Sequence, residues 1–402
     1  MSARRRPVVV VGAGPVGLTA ALVLARGGVP VTVLDSGPGL STASRASTFH
    51  PSTLDLLDEL GVASALRTAG REVHEIQWRD LEQRVLHRMR YDTLTGHTAH
   101  PYRVHVEQSR LTPLLLAALE AHPHAEVCFS STVVDAGPRG DDAVRLRIDG
   151  PAGARTTLDA GHVVAADGSR STVRAALGLP SEATEYPWYA LRVVTTTALD
   201  ELLPGLAPLA YVRDPGLSFS VLGMPDHWRL IFRIPADVPR EQVVERPAVR
   251  ALLERALPSR ATAIELADAH TYRLASYVLP HYRAGRVLFA GDAAHLTSTA
   301  GGMNMNCGLH DAVAWGRALT RIHDGEADER ILDGVAAERR SAVTDKVIPR
   351  SEARTAGIDD AAGLRRALEG IGRIAADPAR VTDYLFAASL LDCAPRPRQL
   401  TP

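Results

Sequence analysis

The chain has 402 residues, 46% hydrophobic and 23% charged, with a formal net charge of -1. That length provides for two or three domains, and the near-neutral balance gives no reason to expect nucleic acid or an anionic membrane as partner. Three cysteines, Cys128, Cys307 and Cys393, lie far apart; odd in number, they make neither a disulfide framework nor a zinc site and fit a reducing cytoplasm.

The opening "MSARRRPVVVVGAG" joins a basic stretch to an apolar run that breaks at glycine after a few residues. That is too short for a signal-peptide core or a membrane span, so a soluble cytoplasmic protein is expected. Pro7 to Val11 reads as a short buried parallel strand. It runs into Gly12-Ala13-Gly14-Pro15-Val16-Gly17, then the helical composition of "LTAALVLARGG", and a second apolar strand, Val29 to Leu34, ends on Asp35. In this order the first glycine allows a tight turn, the second lets backbone approach a pyrophosphate, and the third lets helix pack on strand. The helix start adds free N–H groups and partial positive charge for phosphates. Asp35 stands where a carboxylate would accept hydrogen bonds from an adenosine ribose. The motif specifies a dinucleotide and leaves FAD and NAD both open.

Glu75 to Tyr91 reads as strands that join a sheet formed later in the chain. His162 to Leu179, "HVVAADGSRSTVRAALGL", is a strand meeting Asp167-Gly168 and a helix carrying Arg170 and Arg174; alone it would be a solvated basic face. From 180 to 269, "YALRVVTTTAL", "LAYVRDP", "LSFSVLGMP" and "WRLIFRIP" alternate between Pro, Gly and Asp boundaries, the pattern of an antiparallel sheet. Gly285 to Ala312, "GRVLFAGDAAHLTSTAGGMNMNCGLHDA", is a buried strand, a turn at Gly291-Asp292, a loop rich in glycine and asparagine, and a helix start. From Asp311 onward the chain reads helical and ends in the tail "CAPRPRQLTP".

The N-terminal G-x-G-x-x-G, the central D-G and the late "GRVLFAGDAAH" together resemble the FAD-dependent aromatic hydroxylases, the flavoprotein monooxygenases typified by p-hydroxybenzoate hydroxylase. The resemblance runs from Val8 to about Arg340. It implies an α/β fold with a Rossmann-type FAD-binding domain at 1–179 and 270–340. An interleaved antiparallel β-sheet substrate domain would occupy 180–269, with C-terminal helices and tail at 341–402. It implies FAD with its ADP half on Gly12, Gly14, Pro15, Val16, Gly17 and Asp35, and further cofactor contacts from Arg45 and Gln108. Asp292 would take a ribityl hydroxyl, and the peptide N–H groups at Met305-Asn306, beyond Gly302, would face the pyrimidine edge of the flavin. Asp167 of the D-G motif would serve both FAD and the nicotinamide cofactor, with no separate NAD(P)H domain. Arg45 and Arg170 are candidates for the NADH or NADPH pyrophosphate, because guanidinium forks suit phosphate oxygens.

The chain departs from the family at Ser298-Thr299, where a proline pair is usual, and at Asn304, where glycine is usual. Proline fixes φ, so a more mobile loop with two available hydroxyls is expected. Tyr211 in "LAYVRDP" aligns with the family tyrosine that ionises a phenolic substrate; its alternative reading is a half-buried strand aromatic. His50 in "STFHPST" is a second candidate base. Arg229 aligns with an arginine near the flavin, while Met224 falls where the family holds a substrate carboxylate with arginine, which argues against a benzoate. Phe219, Tyr272 and Thr299 join Tyr211 and Arg229 as candidates to line a pocket for an apolar aromatic. The implied activity is a single-component monooxygenase that uses NAD(P)H and dioxygen, through a flavin C4a-hydroperoxide, on an aromatic or heteroaromatic small molecule. A homodimer is compatible with this reading; no metal, nucleic-acid or membrane site is expected. A flavin halogenase would need a pocket lysine, and the one lysine, Lys346, lies on the C-terminal helices. A reductase of the same fold that transfers no oxygen, and an idle FAD-binding partner, are the alternatives.

Overall fold

In the computed structural model of the protein, residues 6–43, 46–180, 182–258, 260–354 and 360–395 are described. Arg45 and the last residues of the tail, 396–402, lie outside them.

Val8–Val11 is buried along its whole length, as a strand covered on both faces requires. It pairs in parallel with Val31–Leu34 on one side and His162–Ala165 on the other. Ala125–Cys128 and Val287–Phe289 extend the parallel sheet, and Arg283–Ala284 closes one edge in the antiparallel sense. The strands that precede the three sequence motifs are therefore neighbours, and their C-terminal ends point the same way.

Two helices rise from that end. Pro15–Arg26 follows the first glycine loop with proline at its start, a position whose missing N–H costs nothing. Asn304–His323 follows the late loop and packs along it. The approach is close because the facing residues are small: a Cβ on Gly316 would lie 2.6 Å from a Val23 methyl.

The second body is a seven-stranded sheet in the order Leu266–Tyr272, Trp188–Thr195, Trp228–Pro235, Phe219–Gly223, Leu209–Val212, Glu75–Arg79, Val85–Arg90. All pairs are antiparallel except Leu209–Val212 with Glu75–Arg79. One face is covered by the Arg246–Ala256 helix through Val249 and Leu253. The other face buries Ile76, Trp78, Met89 and Tyr211, with Val381 and Leu385 of the Pro378–Ala388 helix packed on them. The C-terminal helices are thus part of this sheet's cover. The two bodies are stitched by the Ala275–Val278 strand, whose Tyr277 and Val278 pair with Leu296 and His295 of the late loop. Among the described residues no helix is long and apolar enough to cross a membrane.

Candidate active site

The first glycine loop is built as a phosphate cradle. Gly12 has φ +106°, and a Cβ there would meet the Ala166 carbonyl oxygen at 2.4 Å; on Gly17 it would lie 1.9 Å from the Gly12 oxygen. Neither position accepts a side chain. At Gly14 nothing lies within 4 Å of the same construction, so the loop presents bare backbone to open space at the helix start. Asp35 reaches back to it: Oδ2 accepts from the Ala13 N–H at 2.7 Å and Oδ1 from Gly37 at 2.8 Å.

Asp167 follows Ala166 at the same turn. Its Oδ2 accepts from Val173 N–H and Thr172 Oγ1, both at 3.2 Å, while Oδ1 is buried with no protein partner. An orphaned acceptor there fits a ligand that brings its own hydroxyl. Arg170 stands exposed on this turn. Arg174, by contrast, is buried; it donates to Tyr277 Oη at 2.8 Å, Ala293 O at 3.1 Å and Ser169 O at 2.6 Å. The basic face read as solvated is therefore half structural, because Arg174 ties the D-G turn to the late loop.

The late loop meets the first one directly. A Cβ on Gly308 would lie 2.9 Å from Gly291 Cα and 3.0 Å from a Val16 methyl, so Val16, Gly291 and Gly308 converge. Asp292 accepts from Asn304 Nδ2 at 2.8 Å. Asn304 Oδ1 faces His295 Nδ1 at 3.2 Å, His295 Nε2 faces Asp311 Oδ2 at 2.8 Å, and Arg339 Nε donates to Asp311 Oδ1 at 2.9 Å. Burial alone would lower the His295 pKa, but the Asp311 carboxylate outweighs it and raises it to about 10. The imidazolium then donates from both nitrogens, and Asp292 is held by a buried chain that ends in two cations around one carboxylate. His295, Cys307 and Asp311 bring metal-ligand atoms together, but Arg339 already donates to both Asp311 and Cys307 Sγ.

Ser298 is braced by hydrogen bonds, so its hydroxyl is not the free group expected, whereas Thr299 stays exposed. Ser298 is buried; its Oγ accepts from the Ala300 N–H at 3.2 Å, and its carbonyl accepts from Ser351 Oγ at 3.1 Å. Thr299 lies beside Tyr272. Gly301 and Gly302 follow in the left-handed region at φ +86° and +67°. Asn306 fixes the helix start: Nδ2 donates to Gly302 O and Thr48 O at 2.7 and 2.8 Å, and Oδ1 accepts from the His50 N–H at 3.0 Å. The amide side chain is thereby consumed, leaving the first-turn N–H groups around half-buried Met305 without helical partners. His50 Nε2 bonds Gly301 O at 2.9 Å, which requires its proton there, while buried Nδ1 has no protein partner. Burial, then Arg103 and Arg354, push its pKa well below the usual histidine range; His50 is a neutral ring with one open lone pair. Gln108 starts the Gln108–Glu120 helix, its N–H bonded to Ala46 O at 3.0 Å.

On the seven-stranded sheet, Tyr211 is linked to this loop through Arg354, which stands over Gly301. Burial would raise its pKa, but Arg354, Arg103 and Arg213 outweigh it and hold it below the ordinary phenol range. Arg354 Nη1 lies 3.4 Å from Tyr211 Oη, and the Arg213 guanidinium 4.9 Å from the Tyr211 ring centre. Trp78 packs 5.8 Å from Tyr211. Tyr272 and Thr299 meet at the other end of the loop, while Arg229 ion-pairs with Glu107, next to Gln108. Phe219 does not join them. Alternation puts it on the opposite sheet face, 4.9 Å from Phe232 and in the core with Val249 and Leu253. Its place in a pocket is corrected to a place in the core. Sequence reasoning missed Arg103, Arg354 and the His295–Asp311–Arg339 group.

A glycine cradle at a helix start and an orphaned carboxylate oxygen beside it mark a dinucleotide-binding protein. The family model described as FAD binding domain matches residues 5–351. Para-nitrophenol 4-monooxygenase of Pseudomonas sp. strain WBC-3 is 30% identical over 86% of this chain and 85% of its own length. The 6-hydroxy-3-succinoylpyridine 3-monooxygenase HspB of Pseudomonas putida S16 is 32% identical over 87% and 88%. The crystal structure of p-nitrophenol 4-monooxygenase PnpA from Pseudomonas putida DLL-E4 superposes with a TM-score of 0.90 at 27% identity, covering 98% of this chain and 99% of that one. The chain therefore belongs to this FAD-binding family, among the FAD-dependent aromatic hydroxylases, and is a flavoprotein oxidoreductase that carries FAD.

Proposed function

We propose that the chain is a single-component monooxygenase that takes electrons from NADH or NADPH and uses dioxygen to hydroxylate an aromatic or heteroaromatic small molecule. The observation that carries this reading is that one loop packs on the glycine cradle through Val16, Gly291 and Gly308 and, at Gly301, on Arg354, which reaches the buried Tyr211 hydroxyl. FAD, when bound, supplies the redox chemistry and the oxygen activation that no side chain can.

The chain's own residues do the rest. Gly12, Gly14 and Gly17, with Pro15 and Val16, admit the pyrophosphate, and Asp35 braces the turn around it. Asp167 Oδ1 and the Asp292 carboxylate would accept from cofactor hydroxyls, and the first-turn N–H groups at Met305 and Asn306 would give a fixed donor array for negative charge on the ring. Tyr211, a buried phenol beside Arg354 and Arg213, is the candidate to hydrogen-bond and orient a substrate hydroxyl, and His50 Nδ1 is a second candidate acceptor. Arg170, exposed on the D-G turn, is available to a nicotinamide pyrophosphate, and Arg45 is its candidate companion. Tyr272 and Thr299 close the far end of the site. The two monooxygenase relatives act, by their names, on hydroxylated single rings, which supports a small phenolic or hydroxypyridine substrate.

The test is anaerobic reduction of the bound flavin by NADH and by NADPH, followed by absorbance, with and without phenols and hydroxypyridines. Acceleration by one ring compound is expected. Failure of both nucleotides to reduce the flavin under any condition would overturn the reading.

A further inference from the structure

Asn304 opens the Asn304–His323 helix at the position where the family usually carries glycine, and its side chain makes polar contacts in two directions. Nδ2 donates to Asp292 Oδ1 at 2.8 Å, while Oδ1 faces His295 Nδ1 at 3.2 Å and accepts from Thr297 Oγ1 at 3.3 Å. The last two contacts fix which way the amide points. His295 Nε2 lies 2.8 Å from the Asp311 carboxylate, in a fully buried group completed by Arg339, and its ring donates from both nitrogens. Turning the amide over would set Nδ2 against the His295 Nδ1–H and the amide oxygen against the Asp292 carboxylate. Two favourable contacts would become two repulsive ones.

Asp292 is therefore held through both its main chain and its side chain. Tyr277 Oη donates to the Asp292 carbonyl, and Arg174 Nη1 donates to Tyr277 Oη at 2.8 Å, while Asn304 Nδ2 sets the plane of the half-buried carboxylate. Glycine at 304 would keep the main-chain anchor and remove this side-chain bond. Ordering a carboxylate only when its ligand arrives subtracts from affinity, because side-chain freedom is lost in the binding step. A hydrogen bond to the ionised group, made beforehand, moves that cost into folding.

We infer that Asn304 is a positioning residue for FAD: its amide carries the orientation set by the buried His295–Asp311–Arg339 group to Asp292, so that this carboxylate meets the cofactor already in place. The inference rests on the reading of Asp292 as a cofactor contact. It goes beyond that reading by assigning part of the cofactor's affinity to a side chain that touches Asp292 and replaces the usual glycine.

The test reads FAD affinity from free-flavin fluorescence as the holoenzyme is diluted and FAD is added back. Asn304→Gly should weaken binding about tenfold or more. Asn304→Asp, which keeps the shape but offers Asp292 no donor, should weaken it at least as much. In an Asp292→Ala background the same Asn304→Gly change should matter less than about twofold, because its route to the cofactor is gone. Wild-type affinity in Asn304→Gly, alongside weak binding in Asp292→Ala, would overturn the proposal and leave the Asp292 contact standing. An equal loss with and without Asp292 would also overturn it, since a merely structural role gives that result. Wild-type affinity in Asp292→Ala would defeat the reading of Asp292 as a cofactor contact, and the proposal with it.

Discussion

Replacing Asp311 with asparagine tests the chain that holds the flavin-side loop. Asp311 is fully buried and accepts from His295 Nε2, Arg339 Nε and the Gly291 N–H, the last at 3.1 Å. Removing one partner of a buried ion pair costs about 3–5 kcal/mol. Asparagine keeps the shape and one acceptor oxygen, and His295 can shed its proton, so the lower end, about 3 kcal/mol, is expected. The pH dependence is the sharper signature. His295 has a folded pKa raised to about 10 against an unfolded value of about 6.5. Its stabilisation is therefore full below the unfolded value and is lost as pH rises through the folded one. The Asp311 carboxyl is held below its ordinary range, burial opposing and His295 and Arg339 prevailing, so its contribution is lost only in acid. In Asp311→Asn the cause of the raised imidazole pKa is gone. The variant's deficit should be largest near pH 6 and shrink toward pH 10. Urea unfolding at saturating FAD, repeated across that range, measures it. A deficit below about 1 kcal/mol, or one that does not change with pH, would refute the reasoning.

Gly17→Ala places a Cβ 1.9 Å from the Gly12 oxygen and should weaken FAD binding at least about tenfold, since the turn must open to admit it; FAD retention on dilution checks this. Phe219→Ala should cost about 3–5 kcal/mol of stability and leave substrate KM unchanged, because the ring is in the core away from Tyr211; a raised KM at full FAD occupancy would put it back in the pocket.

The cofactor half of the site was legible because its information is local. Gly12 to Gly17 must turn, expose backbone and pack within six consecutive residues, and Gly291-Asp292 must turn a strand into a loop; each constraint writes itself into neighbouring letters. The substrate half was not. Arg103, Arg354 and Tyr384 sit far apart in sequence, each an ordinary residue in its own segment, and only the packing of the C-terminal helices on the 75–91 strands brings them to Tyr211. Arg174 was misjudged because basic spacing on a short helix looks the same whether the side chains reach water or a buried tyrosine. Phe219 could have been excluded by counting: in the 219–223 strand it shares a face with Val221, and both pack in the helix-covered core, whereas Ser220 and Leu222 point to the other side. Ser298 and Asn304 show a different limit. Loss of proline suggests looseness, but the hydrogen bonds that replace it come from Ser351, His295 and Asp292, which no local pattern specifies.

Oxygen transfer is tested most directly by mass analysis of the product formed under heavy-isotope dioxygen. The holoenzyme would be supplied with NADH or NADPH and each of 4-nitrophenol, 4-hydroxybenzoate and hydroxypyridines. One labelled oxygen atom is expected in the product of at least one of these rings, with nicotinamide oxidised in step. Nicotinamide oxidation with all label in hydrogen peroxide or water for every ring compound, or a product reduced with no oxygen uptake, would contradict it.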